Sequence, residues 1–432
     1  MNNTAQELSK LDLEHIWHPC SQMSEYDSVL AIKRGDGAVL YGYDEKAYID
    51  CISSWWVNIF GHGNAYIAAK IAEQAKSLSQ VILAGFTHEP LVRLSARLCK
   101  LLPSPLNKCF YADNGSAAVE VALKMSYHKN KLTGKEKPLF LNLKNSYHGE
   151  TIGALSVGDV ELYKASYGGI LIDCISAKVP CDFSAWGGEI VSEDEALSDL
   201  EKVLKTHAHG ISAFIVEPLI QCSGNMNMPS PAYTKKACEL VRSYEIDVIF
   251  DEIAVGFGRS GSMWAMEQVG FVPDFVCLSK GLSGGNMPFS VVVTSDSVYN
   301  EFLGDFDRAF LHSHSYTGNA LAAAAANATL DIFERENVIE KNKALSAFIL
   351  EQFKWAREHE KVRNFRQRGM VLAFDVPRLA GAKSREFRSL ALNRGLLLRP
   401  LGASLYFMPP YVITRDQIAF ASTQIKELIN EL

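Results

Sequence analysis

An α/β fold with a large, mostly parallel sheet and a smaller α+β unit built from both chain ends is what this sequence predicts, and three observations carry it. From about Lys108 to Ser295, short Val/Ile/Phe-rich runs alternate with helical stretches: KCFYAD, then GSAAVEVALKMSYHK, PLFLNL, ISAFIVEPL, DVIFDE, DFVCLSK and FSVVVTS. Such alternation is the signature of βαβ units on a sheet covered on both faces, with ligands gathering at the carboxyl ends of the strands. After Arg363 the pattern changes to GMVLAFDV, the helix SREFRSLALNRG, the strands LLLRP and LYFMPP, and a final helix from Thr414. The first sixty residues, with AIKRGDGAVLYGYDEKAYIDCISSWW at their centre, read as turns and antiparallel strands.

Between these parts, the Ala-rich stretch from Asn319 to Glu334 predicts one long helix and the 340s and 350s another. With no repeat, low-complexity tract or linker in sight, the expected division is a large unit over 61–329 and a small one from 1–60 and 330–432.

Composition narrows the function classes. The chain has 432 residues, of which 48% are hydrophobic and 21% charged, enough for a large core. Its net charge of -6 and the lack of a Lys/Arg block argue against a nucleic-acid partner and leave a small molecule as the expected ligand. Nine singly scattered cysteines without a CxxC pair read as reduced thiols of a cytoplasmic protein. His207 with His209, and His312 with His314, have a spacing that suits a metal but no Cys or carboxylate partner nearby, so no metal site is expected. MNNTAQELSKLDLEHIWHPC lacks a basic segment followed by an apolar one, and no run of eighteen apolar residues occurs, so neither export nor membrane insertion is expected.

The chemistry concentrates where strands end. DVIFDE closes on Asp251 and DFVCLSK on Lys280. A lysine there can form a Schiff base with the aldehyde of pyridoxal phosphate, and an aspartate on the neighbouring strand can keep the pyridine nitrogen protonated. An isolated Asp and Lys would equally end two core strands. ADNGSAAVEVALKM sets Asn114, Gly115 and Ser116 between a strand and a helix N-terminus, where unpaired amides and the dipole favour a phosphate, although NGS is also an ordinary capped turn. In HSHSYTGN, His314 and Ser315 precede a long helix and offer a second phosphate contact. Tyr147 and His148 follow PLFLNL, and an aromatic ring there can stack on a flat cofactor.

In their order, NGS, YHG, EP, DEIAVGFGR, LSKG and the Ser-Tyr-Thr-Gly-Asn helix start, these motifs resemble the class III pyridoxal-phosphate aminotransferases of fold type I over essentially the whole chain. The resemblance implies that Lys280 carries the cofactor and shuttles the proton, and that Asp251 pairs the ring nitrogen. It implies that Asn114, Gly115 and Ser116 hold the phosphate and that Tyr147 stacks on the ring. It further implies a homodimer with shared active sites, in which His314 and Ser315 come from the partner subunit, and ping-pong nitrogen transfer.

Substrate choice is expected at the chain ends. SSWW supplies Trp55 and Trp56, apolar area for an aliphatic chain, and Arg399 in LLLRPLG suits bidentate capture of a carboxylate. Tyr406 and Cys222 stand where family members acting on ω-amino acids commonly have Arg and Glu. WHPCSQM, SSWW and RPLG with MPPY resemble the branch of the family that aminates 7-keto-8-aminopelargonate for biotin, usually with S-adenosylmethionine as donor and in some relatives lysine. That resemblance implies substrate contacts by Trp55, Tyr147, Lys280, Ser313 and Arg399, with Trp56, Cys20 and Tyr406 bordering the pocket. Cys20 and Glu150 depart from the Tyr and Asp common at those places. A broad ω-amino acid aminotransferase is the alternative.

Overall fold

The computed structural model describes residues 3–182 and 189–432. Its centre is a seven-stranded sheet. The strands among the described residues are β1 (Ile32–Asp36), β2 (Val39–Gly42), β3 (Ala47–Asp50), β4 (Leu106–Ala112), β5 (Leu139–Leu143), β6 (Cys174–Ala177), β7 (Ile211–Val216), β8 (Asp247–Asp251), β9 (Phe275–Leu278), β10 (Ser290–Ser295), β11 (Arg363–Arg368), β12 (Val371–Asp375), β13 (Leu396–Leu397) and β14 (Ser404–Phe407). The large sheet runs in the order β4-β10-β9-β8-β7-β5-β6.

Every neighbour pair from β9 to β6 is parallel, whereas β10 is antiparallel to both β9 and β4. The reason is the connection. A parallel return needs a crossover of a dozen or more residues, usually a helix, and the segment between β9 and β10 holds only the short 3₁₀ turn Lys280–Ser283.

Alternation along the strands feeds two cores. Ala213 and Ile215 of β7, with Ile249, Cys277 and Val292, pack under Ala118, Val121 and Ala122 of the helix Gly115–Leu132. Phe214 and Val216, with Val248, Phe250, Val276 and Leu278, face the opposite layer, which includes the helices Glu193–His207 and Pro231–Arg242. Strands buried on both faces read as continuous apolar runs, as these do.

The chain ends pair with each other. β13 lies parallel to β3, with Leu396 opposite Ile49 and Leu397 opposite Asp50, and completes the sheet β1-β2-β3-β13. β11, β12 and β14 form a separate antiparallel sheet. The Ala-rich helix runs Ala320–Glu336 under an Asn319 cap, and Asn337 with φ 49° breaks it from Val338–Gln352. The N-terminus departs from the expected turns and strands by forming a helix, Asn3–His15, in which only Ala5 and Ser9 are buried while Leu8 and Leu11 stay exposed. Among the described residues no helix is long and apolar enough to cross a membrane.

Candidate active site

Parallel register brings the two strand-end residues together. Asp251 is the last residue of β8 and sits opposite Cys277, three residues before Lys280. Asp251 is buried; its Oδ1 accepts the Ile253 N–H at 3.1 Å, and its Oδ2 lies 2.8 Å from His148 Nδ1. The other ring nitrogen of His148, Nε2, is buried without a partner among the described residues. Lys280 adopts φ 46°. Its Nζ lies 4.8 Å from the centroid of the Trp56 ring, with no hydrogen-bond or ion-pair partner among the described residues. Burial pushes the Lys280 amine below the ordinary lysine value; the Cys222, Asp251 and Glu217 groups pull it back up, and Arg259 pushes it further down.

Glu217, just past β7, completes this floor. Burial first, and the charge of Asp251 second, push its carboxyl up to about 8. The same carboxyl accepts the backbone N–H of Tyr147 at 3.0 Å and of Cys222 at 2.9 Å, so it fixes the loop that carries Tyr147.

Asn114, Gly115 and Ser116 do stand at a helix N-terminus. The Asn114 side chain is committed to capping, its Oδ1 accepting the Ala117 N–H at 3.0 Å, which leaves the Gly115 and Ser116 amides as the donors without an intrahelical acceptor. A Cβ on Gly115 would stand 3.1 Å from two carbons of Ile253, so the backbone approaches the strand end closely there. Ser116 Oγ accepts the Glu150 N–H at 3.1 Å, joining this helix start to the Tyr147–Glu150 loop.

Within one chain, His314 Nδ1 is 3.0 Å from Asp113 Oδ2, beside that helix start, and the two Nε2 atoms of His312 and His314 are 3.2 Å apart. Ser313 and Ser315 remain exposed, Ser313 bonded to the His314 carbonyl and the Ser315 carbonyl to Gln80.

A second cluster joins polar and aromatic side chains through pairwise contacts. Arg399 stacks with its Cζ 4.8 Å from the centroid of the Trp55 ring and donates to the Cys20 carbonyl at 3.0 Å. The Tyr147 and Tyr163 rings meet edge to face at 5.4 Å. Burial and the Glu150 carboxylate raise the Tyr147 hydroxyl, and burial, Cys20 and Glu150 raise Tyr163 while Arg399 opposes. The Cys20 thiol is raised by burial and by Glu150, again against Arg399. Tyr406 stands behind the wall rather than at its surface: it is buried, and its hydroxyl accepts the Trp56 indole N–H at 3.1 Å.

The two tryptophans sit in an unusual turn. Ser53, Ser54, Trp55 and Trp56 have φ of 51°, 45°, 71° and 72°, so four consecutive residues, none of them glycine, are left-handed. Each such residue costs roughly 1–2 kcal/mol. Sequence reasoning missed this turn, and it missed His148 as the partner of Asp251, the buried Glu217 and Tyr163. His148 and Glu217 lie inside motifs already singled out, YHG and EP, whereas nothing in YKASYGG marks Tyr163.

Comparison with known proteins places this geometry in a family. The model of the family "Aminotransferase class-III" matches residues 21–429. A Helicobacter pylori protein named adenosylmethionine-8-amino-7-oxononanoate aminotransferase is 50% identical over 445 residues, covering 100% of this chain and 99% of the relative. The crystal structure of the protein of that name from Methanocaldococcus jannaschii superposes with a TM-score of 0.91 at 32% identity, covering 99% of each chain. An (S)-enantioselective omega-transaminase from Thermomicrobium roseum superposes with a TM-score of 0.92 at 28% identity, covering 99% of this chain and 98% of that one. With a family match over nearly its whole length, and with a buried aspartate and a lysine at neighbouring strand ends, the chain belongs to the class-III aminotransferases.

Proposed function

We propose that this aminotransferase uses pyridoxal phosphate to convert 8-amino-7-oxononanoate to 7,8-diaminononanoate, a step of biotin synthesis, with S-adenosylmethionine as amino donor. The observation that carries the proposal is that adjacent tryptophans meet the two cations, Trp55 the Arg399 guanidinium and Trp56 the Lys280 amine, each at 4.8 Å. An apolar wall with a guanidinium beside it suits an aliphatic chain ending in a carboxylate, and identity of 50% over full length to a protein of that name supports the same substrate.

The residues present fit the cofactor. Lys280 offers an amine without a hydrogen-bond or ion-pair partner among the described residues, Gly115 and Ser116 offer helix-start amides for a phosphate, and Tyr147 offers a ring on a loop whose backbone N–H Glu217 accepts. When bound, pyridoxal phosphate supplies an electron sink for the bond broken next to the transferred nitrogen. Asp251, oriented by His148, holds a proton at the pyridine nitrogen. Lys280, its amine favoured in the neutral form by burial, takes the proton from the donor's α-carbon and returns one to the nitrogen-bearing carbon of the product. Trp55 and Trp56 exclude water along the acceptor chain while Arg399 fixes its carboxylate end.

The second cluster also bears on the donor. Glu150 supplies negative charge beside Tyr147 and Cys20, opposite the Arg399 cation. That arrangement suits a donor carrying both a carboxylate and a remote positive charge, which S-adenosylmethionine and lysine share. A second copy of the chain is part of the proposal, because Trp17, Ile82, Phe86, Leu311 and Tyr316 are exposed apolar side chains, Trp17 to 87%, and the exposed Ser313 and Ser315 lie in the same loop as Leu311 and Tyr316. In that dimer His314 and Ser315 reach the partner's phosphate site. The proposal keeps a large unit over 61–329 and a small one from 1–60 and 330–432, whose ends meet in the β3–β13 pair, and a cytoplasmic enzyme.

A product assay tests the proposal: holoenzyme with 8-amino-7-oxononanoate and either S-adenosylmethionine or lysine, with 7,8-diaminononanoate followed by mass. Product with S-adenosylmethionine is expected. Product with lysine alone reassigns the donor, and turnover of ω-amino acids with pyruvate but none of 8-amino-7-oxononanoate contradicts the substrate.

A further inference from the structure

A run of four left-handed residues without a glycine persists only where the surroundings over-determine it. Two clasps hold the Ser53–Trp56 turn. Asp50, the last residue of β3, is fully buried and turns both carboxylate oxygens on it. Its Oδ1 accepts the N–H of Ser54 at 2.9 Å and of Ile52 at 3.2 Å; its Oδ2 accepts the Ser54 hydroxyl at 2.8 Å and lies 2.9 Å from His62 Nε2. His62 is itself tied to the β1–β2 hairpin by a backbone pair with Gly37, at 2.7 and 3.1 Å. The second clasp is Ser53, whose hydroxyl donates to the Met408 carbonyl at 2.7 Å and accepts from Arg259 at 3.2 Å.

We propose that Asp50 and His62 are positioning residues of the acceptor pocket: by holding the turn left-handed they set the Trp55 indole against Arg399. Asp50 is too deeply buried to touch a substrate and acts through the turn alone. Trp56 has an anchor of its own in Tyr406, so Trp55, still 39% exposed, is the side chain that depends on the clamp. If the turn relaxes to ordinary dihedrals, Trp55 leaves the guanidinium and the pocket loses both its wall and the orientation of its cation, while Asp251 and Lys280, placed by the sheet, stay where they are. The inference rests on the reading that Trp55 and Arg399 receive the acceptor, and it names what holds them there.

The test compares Asp50→Ala, His62→Ala and Trp55→Ala holoenzymes. Asp50→Ala is expected to raise KM for 8-amino-7-oxononanoate about tenfold or more, with kcat changed less than about threefold and the cofactor absorption band unchanged. Amide exchange in the peptide spanning the turn is expected to quicken, because the Ser54 N–H loses its acceptor. Adding Ser54→Gly to Asp50→Ala should bring KM back to within about threefold of the unsubstituted enzyme, since glycine takes a positive φ without a clamp. Should Asp50→Ala not fold, His62→Ala, which keeps the backbone pair with Gly37, carries the test with a KM rise of about threefold. Unchanged KM in the Asp50 and His62 variants while Trp55→Ala raises it overturns the inference and leaves the pocket reading intact. Unchanged KM in Trp55→Ala overturns the pocket reading and the inference with it. A KM rise that Ser54→Gly does not reverse overturns the inference as well, because Asp50 then acts through something other than the turn.

Discussion

The strand-end pair and the tryptophan turn are built by opposite means. Asp251 and Lys280 are set by β8 and β9, central strands whose side chains are buried on both faces, and within that pair only Lys280 has a positive φ. The Ser53–Trp56 turn has no ladder of its own; it is left-handed throughout and is held by the side chains of Asp50, His62, Ser53 and Arg259. A sheet places a residue through many shared hydrogen bonds, so no single side chain decides it. A strained turn is placed by a few groups, and each matters. Under the proposed function the chemistry rests on the robust element and the choice of substrate on the delicate one, which predicts that damage to the first appears in kcat and damage to the second in KM.

The largest expected effect breaks the comparison most cleanly. Lys280→Ala should abolish turnover with every substrate pair, a loss of roughly 10⁴-fold or more, because no other amine among the described residues lies beside Asp251 to anchor the cofactor and move the proton. Retained activity would sink the assignment of the lysine. Asp251→Asn should lower kcat by roughly 10²–10³-fold at little cost in KM, since the amide cannot hold charge against a protonated ring; a pure KM effect would erase the distinction between the two regions.

How much of this was legible in the sequence follows from the same contrast. Apolar runs ending in Asp251 and Lys280 mark strand ends because a buried strand must be apolar along its length and can turn polar only where it leaves the sheet. The helix at Gly115 is announced by Asn114, an N-cap residue followed by an Ala/Val face. The expected sheet was mostly parallel, and which strand departs from that is not marked in the sequence: the direction of β10 depends on what connects it to β9, and a 3₁₀ turn leaves no periodic signature. SSWW carries none of the Gly or Asn that mark a positive φ, and its clamp comes from Asp50 and His62, twelve residues apart and brought together only by the fold. The helix Asn3–His15 buries too little apolar surface to imprint a strong pattern.

The smallest predicted effect concerns the floor. Glu217, raised to about 8 from an ordinary 4.5, holds a proton in the folded state that the unfolded chain releases. Its contribution to stability is complete below the unfolded value and is lost as pH rises through that window, so the folded protein weakens between about pH 5 and about pH 8. Glu217→Gln removes this loss and should flatten the decline in melting temperature over the same range. The decline should shrink without vanishing, because burial raises Glu252 to about 8 as well. An unaltered slope would show that Glu217 keeps its charge in the fold.

The most direct test of where the chemistry resides is to reduce the purified holoenzyme with borohydride, which fixes the pyridoxyl group to whichever lysine carries it, and to map the labelled peptide by mass spectrometry. A single label on Lys280, in the segment between β9 and β10, and no label in Lys280→Ala are expected. A label on any other lysine, or an equal label in the Lys280→Ala protein, would contradict the assignment.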